Sequence, residues 1–196
     1  RESVVNMNRA DIIIVTKSPL NISPIQRRII VKEISKAAYQ NLYFTSLEYK
    51  DPIPVFLRKA SQGFSLEGQN KGNRGIVLVT GIANPAPLKE HLTPYFTEIN
   101  HLSFPDHHKF SEKDIAKIEA ALYNLGSKEK FVITTEKDAI RLRELTNIAE
   151  PFRSSAYYIP VGVKFLKEDK DEFDNLILEY VRKNKRNNRI SEIKRL

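Results

Sequence analysis

Apolar residues follow two patterns along this chain. Short unbroken runs, among them Ile12–Val15, Ile76–Val79 and Phe131–Ile133, are bounded by polar residues and have the length and β-branched content of buried strands. Between such runs the apolar positions recur every three or four residues, as they do on one face of a helix. The pattern predicts strands over 11–16, 42–45, 76–80, 98–103, 130–134 and 156–161, and helices over 3–9, 24–39, 86–97, 111–125, 136–145 and 170–184. Ser23-Pro24-Ile25-Gln26 opens its helix with an N-cap hydroxyl, a proline at the first helical position and a glutamine at N3. Ile25, Ile29, Ile30, Ile34, Ala37 and Ala38 then form one stripe. Ser111-Glu112-Lys113-Asp114 is a second capping pattern. Strands alternating with helices of this length predict an α/β fold: a mostly parallel sheet flanked by helices, a Rossmann-like three-layer sandwich.

Residues 46–74 interrupt the alternation. Asp51-Pro52-Ile53-Pro54 fits neither helix nor central strand, because proline has no donor to give the ladder. The glycine-bearing polar stretch from Gly63 to Asn73 completes a segment expected to hold two short edge strands around a turn, a β-hairpin linker between lobes. The expected division is therefore 1–45, the linker 46–74, a C-terminal α/β lobe 75–184 and a basic tail 185–196.

Three polar clusters sit where strands end. In open α/β sheets ligands bind beyond the carboxyl ends of the strands, so each cluster is a site candidate. Gly81-Ile82-Ala83-Asn84-Pro85 is a turn able to offer backbone N–H groups to an anion. Phe104-Pro105-Asp106-His107-His108 sets a carboxylate beside two imidazoles, groups that move protons or bind metal. Neighbours in an extended segment point to opposite sides, so His107 and His108 should have divided roles. Thr135-Glu136-Lys137-Asp138 reads as a helix cap, with Lys137 out of place against the dipole and so expected to face an anion or to pair with Glu136 or Asp138. Neither GxGxxG nor GxxxxGK[ST] occurs anywhere in the chain. His91 and His101 read as ordinary surface or half-buried residues.

Composition narrows the chemistry. With no cysteine, disulfides, thiolate metal sites and cysteine nucleophiles are excluded, and a reducing compartment fits. No apolar stretch approaches the roughly 20 residues that cross a bilayer. Of the net charge of +8, residues 182–196 carry +6, from seven Lys or Arg against one Glu. That tail is suited to an anionic membrane surface or nucleic acid, or to a solvated helix end. The opening Arg1-Glu2-Ser3, without an initiator Met, reads as the continuation of a longer protein.

Arg1-Glu2, Ala10-Asp11-Ile12-Ile13-Ile14-Val15-Thr16-Lys17, Gly81-Ile82-Ala83-Asn84-Pro85, Phe104-Pro105-Asp106-His107-His108 and Thr135-Glu136-Lys137-Asp138-Ala139, taken in that order, resemble the tetraacyldisaccharide 4′-kinases of lipid A synthesis. The resemblance spans residues 1 to about 160. It implies a P-loop kinase whose ATP-cradling loop lies in an N-terminal part, so that 1–45 is the tail end of the P-loop lobe and 46–74 a hinge. It implies transfer of the ATP γ-phosphate to the 4′-hydroxyl of an acylated glucosamine disaccharide 1-phosphate, with Mg²⁺, at the cytoplasmic face of the inner membrane. His107 is then expected to help take the hydroxyl proton, together with an aspartate of the N-terminal lobe and supported by Asp106. Arg1, Glu2, His108, Asn84 and Lys137 are candidates to bind substrate or nucleotide. No metal ligand is assigned within this chain, no nucleic-acid partner is expected, and the chain alone is expected to be inactive.

Two other classes compete. An Asp-His-His triplet also marks a family of manganese phosphoesterases, but those need further aspartates after strands in patterns such as Asp-x-Asp, and none of the three strand-end clusters holds such a pair. A membrane-surface or nucleic-acid module would rest on the 182–196 tail alone.

Overall fold

A computed structural model describes residues 4–56, 64–66, 72–166 and 169–193, so the expectations placed on Arg1 and Glu2 lie outside the described residues. The chain divides into two compact units, 1–48 with 163–196, and 49–162.

In the first unit a 3-10 helix, Val4–Arg9, leads into β1 (Ile12–Val15). β1 runs parallel to β2 (Asn41–Tyr49), with Ile12 opposite Asn41 and Val15 opposite Phe44. β8 (Val161–Phe165) completes a sheet of order β1-β2-β8. Helix α1 (Pro24–Ile34) opens with the capping box read from the sequence: the Ser23 hydroxyl accepts from the Gln26 N–H at 3.2 Å, and Gln26 Oε1 accepts from the Ser23 N–H at 3.0 Å. It stops short of Tyr39 because Ser35 turns left-handed, with φ 51°. Beyond that turn the buried Gln40 recruits the backbone, taking the Ala37 N–H on Oε1 at 2.9 Å and donating to the Met7 and Ala10 carbonyls. Those bonds compete with a further helical turn. The expected apolar stripe is not a buried one, since Ile25 and Ile29 are exposed. The last helix, α6 (Asp169–Ile193), runs on into the segment read as a tail; no glycine or proline interrupts it. At its start Asp169 accepts from Arg27 and from the Phe44 N–H.

The second unit carries the candidate site. Its sheet has the order β3-β7-β6-β4-β5, with β3 (Ile53–Pro54) antiparallel to β7 (Ala156–Ile159), and β7, β6 (Glu129–Thr135), β4 (Arg74–Thr80) and β5 (Glu98–Ser103) all parallel. In the expected hairpin region β2 runs on to Tyr49 and the short β3 pairs with β7; 57–63 and 67–71 lie outside the described residues. β4 is apolar on both faces because both are covered. Val77 and Val79 pack with Val132 against Ile115 and Ile118 of α3 (Glu112–Tyr123), Ala139 and Leu142 of α4 (Glu136–Arg143), and Phe152 of α5 (Glu150–Ser155). Ile76 and Leu78 pack with Ile133 against Leu88 and Leu92 of α2 (Ala86–Leu92) on the other side. Each such buried side chain contributes about 1.5–3 kcal/mol of transfer free energy. The result is the three-layer α/β arrangement expected from the alternation. Gly75 is fixed by space: a Cβ there would stand 2.6 Å from the Ser127 hydroxyl.

Two elements escaped the pattern. β8 follows β7 after only Pro160, which interrupts the strand and lets the two halves join different sheets. α5 is a short helix started by Pro151 just before β7.

Candidate functional site

The topology places the three clusters together. β4 and β6 are neighbours, but the chain leaves β4 toward the α2 face and β6 toward the α4 face. Such a reversal opens a crevice at the strand ends, where ligands bind in open α/β sheets. Gly81 ends β4 on one side of it, and Thr135 ends β6 on the other. The turn after β5 folds over both, held by the His107 N–H donating to the Gly81 carbonyl at 3.3 Å and the Phe104 N–H to the Thr80 carbonyl at 2.7 Å.

Asp138 is the centre of this corner. It is wholly buried, yet both its oxygens are partnered. Oδ2 accepts from the Gly81 N–H at 2.8 Å and from the Thr135 hydroxyl at 2.7 Å, and Oδ1 accepts from Arg141 Nη1 at 2.7 Å. A buried carboxylate so arranged is stable only because every bond is made. Gly81 is constrained by it, since a Cβ would lie 3.0 Å from Asp138 Oδ1 and 3.3 Å from the Pro105 carbonyl.

Above this base sit the histidines, in different settings. His107 adopts a left-handed backbone, φ 61°, an arrangement that is uncommon outside glycine and gathers at functional sites. Its N–H also bonds Asp106 Oδ1 at 3.0 Å. The ring is 78% exposed, with Nδ1 3.2 Å from Arg141 Nη2 and Nε2 3.8 Å from Asp106 Oδ2. His108 is instead half-buried, stacked on Phe104 at 4.8 Å and edge-on to Phe110, with Nε2 3.1 Å from Asp114 Oδ2. Burial pushes the Asp114 carboxyl up, but bonds from the Ser111 hydroxyl, His108 and the Ser111 N–H outweigh it and hold it below the usual carboxylate range. The two histidines do divide, one facing outward and one anchoring the turn, but not by alternation along an extended segment: 106–107 form a turn with His107 left-handed, and Asp106 stands with His107 rather than with His108.

The remaining candidates separate from this corner. Asn84 is exposed, and its Oδ1 accepts from the Ala86 N–H at 3.3 Å, steadying the first turn of α2. Lys137 is exposed at the start of α4 and makes no ion pair among the described residues. His91 stacks on Tyr49, and His101 bonds the Thr80 hydroxyl at 2.9 Å; burial lowers the pKa of both. Among the described residues no three His, Asp or Glu side chains gather as metal ligands, so the donor set of a manganese phosphoesterase is not assembled there. Motif reading passed over Arg141, whose signal is only its place one turn after Asp138.

Similarity to known proteins agrees with this architecture. A crystal structure of LpxK from Aquifex aeolicus, an "apo" form in complex with ATP, superposes with a TM-score of 0.50 at 16% identity, covering 91% of this chain and 45% of that one. That likeness establishes a shared α/β fold. In sequence, the chain is 42% identical to a tetraacyldisaccharide 4′-kinase of Bacteroides thetaiotaomicron over 98% of its own length and 52% of the relative's. It is 34% identical to that of Flavobacterium johnsoniae, over 94% and 48%. The sequence model of the tetraacyldisaccharide-1-P 4′-kinases matches residues 1–182, and the chain belongs to that family. It spans about half the length of the curated relatives it matches.

Proposed function

We propose that this chain is part of an enzyme that transfers the γ-phosphate of ATP to the 4′-hydroxyl of tetraacyldisaccharide 1-phosphate. The family match over residues 1–182 carries the reading, and the strand-end corner supplies a place for its chemistry. Phosphoryl transfer asks a protein mainly for positioning, charge neutralisation and a group to handle the attacking hydroxyl's proton.

His107 is the residue we assign to helping that proton leave. A guanidinium has only donors, so Nδ1 is the acceptor in its bond to Arg141 and the neutral ring carries its proton on the exposed Nε2. His107 therefore helps by hydrogen-bonding the group that takes the proton, an aspartate outside this chain by the family resemblance. Asp106, 3.8 Å from Nε2, supports it. Lys137, exposed and without an ion pair among the described residues, suits a phosphate oxygen. His108 and Asn84 serve the site by holding the turns on which it is built, and Arg1 and Glu2 remain assigned to the nucleotide side.

The chain has no phosphate-cradling glycine loop and, among the described residues, no cluster of acidic metal ligands, so we assign the triphosphate and Mg²⁺ to residues outside it. Mg²⁺ bound with ATP would neutralise phosphate charge. We assign 1–45, together with 163–184 of the same compact unit, to the lobe that bears the P-loop, 46–74 to the hinge and 75–162 to the acceptor lobe. No described helix is long and apolar enough to cross a membrane. Work at the cytoplasmic membrane face would be aided by the basic 182–196 run meeting anionic lipid rather than nucleic acid.

The test is ATP-dependent phosphorylation of tetraacyldisaccharide 1-phosphate by the N-terminally extended protein, with and without His107→Ala. Activity in the wild type that falls by at least a hundredfold or so in the variant supports the reading. A folded, extended protein with no transfer overturns it.

A further inference from the structure

Arg141 joins the buried base of the corner to its exposed ring. Nη1 donates to Asp138 Oδ1 at 2.7 Å and makes a longer bond to the Gly81 carbonyl at 3.4 Å, while Nη2 reaches His107 Nδ1 at 3.2 Å. The guanidinium cannot easily turn away. Its side chain is 19% exposed, and Asp138 is itself immobilised by the Gly81 N–H and the Thr135 hydroxyl. A ring that is 78% exposed would otherwise be free to rotate and to exchange tautomers.

We propose that Arg141, held by Asp138, is a positioning residue that fixes the orientation and tautomer of His107. In its catalytic part this rests on the kinase reading; in its structural part it does not. The planar fork is what the task needs, because its two terminal nitrogens reach a carboxylate and an imidazole at once. A lysine ammonium could pair with Asp138 but has no second nitrogen for His107. The left-handed backbone at His107 belongs to the same device. With the N–H turned in to the Gly81 carbonyl and Asp106 Oδ1, the ring is brought over α4, where Arg141 meets it. Nε2 is left as the nitrogen that faces the reacting groups.

Two measurements test this. With the ring neutral, ¹⁵N signals of His107 in the chain itself should show Nδ1 fully unprotonated, and Arg141→Met should move Nδ1 toward the tautomer-averaged value of free imidazole. Unchanged ring signals overturn the proposal. If Arg141→Met does not fold, Arg141→Lys keeps the charge beside Asp138, and the same shift of Nδ1, or its absence, decides the matter. In the extended enzyme, Arg141→Met should lower kcat by roughly a hundredfold, the scale on which misplacing a catalytic group acts, with KM for ATP unchanged. Placed in a His107→Ala background it should cost nothing more, because both changes remove one function. An equal further loss in that background assigns Arg141 a role not exerted through His107 and overturns the proposal. If the extended enzyme transfers no phosphate at all, the kinase reading falls, while the ring signals still decide the positioning role.

Discussion

The starts of α3 and α4 are built from the same local pattern and put to different uses. Each opens with a hydroxyl N-cap and an aspartate at N3, and in each the hydroxyl takes that aspartate's N–H, Ser111 at 3.4 Å and Thr135 at 3.1 Å. Asp114 then turns back on its own cap, taking the Ser111 N–H at 2.8 Å and closing a capping box. Asp138 does not. Thr135 is the last residue of a central strand, so the carboxylate turns across to the neighbouring strand end at Gly81 and to Arg141. Both aspartates nevertheless fix a histidine of the same turn, Asp114 by touching His108 and Asp138 through Arg141. A cap that opens from a loop secures a helix. The same cap opening from a buried strand end secures a site.

The comparison breaks most easily at the carboxylates. Asp138→Ala should cost about 3–5 kcal/mol, as loss of one partner of a buried pair does. Asp114→Ala should cost about 1–2 kcal/mol, as loss of capping groups does. Equal shifts in urea midpoint would show the two starts to be energetically alike. Gly81→Ala should follow at about 1–3 kcal/mol, because its Cβ would press on Asp138 Oδ1 at 3.0 Å in a packed region; an unchanged midpoint would mean the corner yields freely.

Acid should expose a smaller difference. The Asp114 carboxyl is lowered in the folded state, so its stabilisation is complete above the ordinary carboxylate value near 4 and is lost as pH falls through the lowered value. The stability gap between wild type and Asp114→Asn should therefore close over that acid range. A gap independent of pH would contradict the bonding described for Asp114. Smallest of all, Asn84→Ala should shift stability by no more than about 0.5 kcal/mol, since the Asn84 side chain is exposed with one 3.3 Å bond. A larger loss in a thermal melt would give that turn more weight than its contacts do.

The centre of the second unit's sheet was legible because β4 and β6 are buried on both faces and read as unbroken apolar runs, Ile76–Val79 above all. The clusters at Gly81 and Thr135 were legible for the same reason, each following such a run, whereas the one at 104–108 follows β5, whose sequence is mixed, and was legible from its own Asp-His-His. Arg141 was not. In sequence it is one more basic residue on a short helix, and only the reversal between β4 and β6 brings Gly81 and His107 within its reach. Local periodicity also missed the end of α1, where a buried Gln40 competes successfully with the helix for backbone groups, and β8, where Pro160 hands a strand from one sheet to the other. Tertiary hydrogen bonds and a strand break decided both, and neither leaves a periodic trace.

The most direct measurement sets the two histidines against each other in the extended enzyme. His107→Asn keeps a residue that tolerates a left-handed backbone but removes the imidazole. The account expects it to lower kcat by about a hundred- to ten-thousandfold with the melting temperature unchanged, and expects His108→Asn to lower the melting temperature while sparing more of the kcat. A folded, inactive His108→Asn beside an active His107→Asn would contradict it.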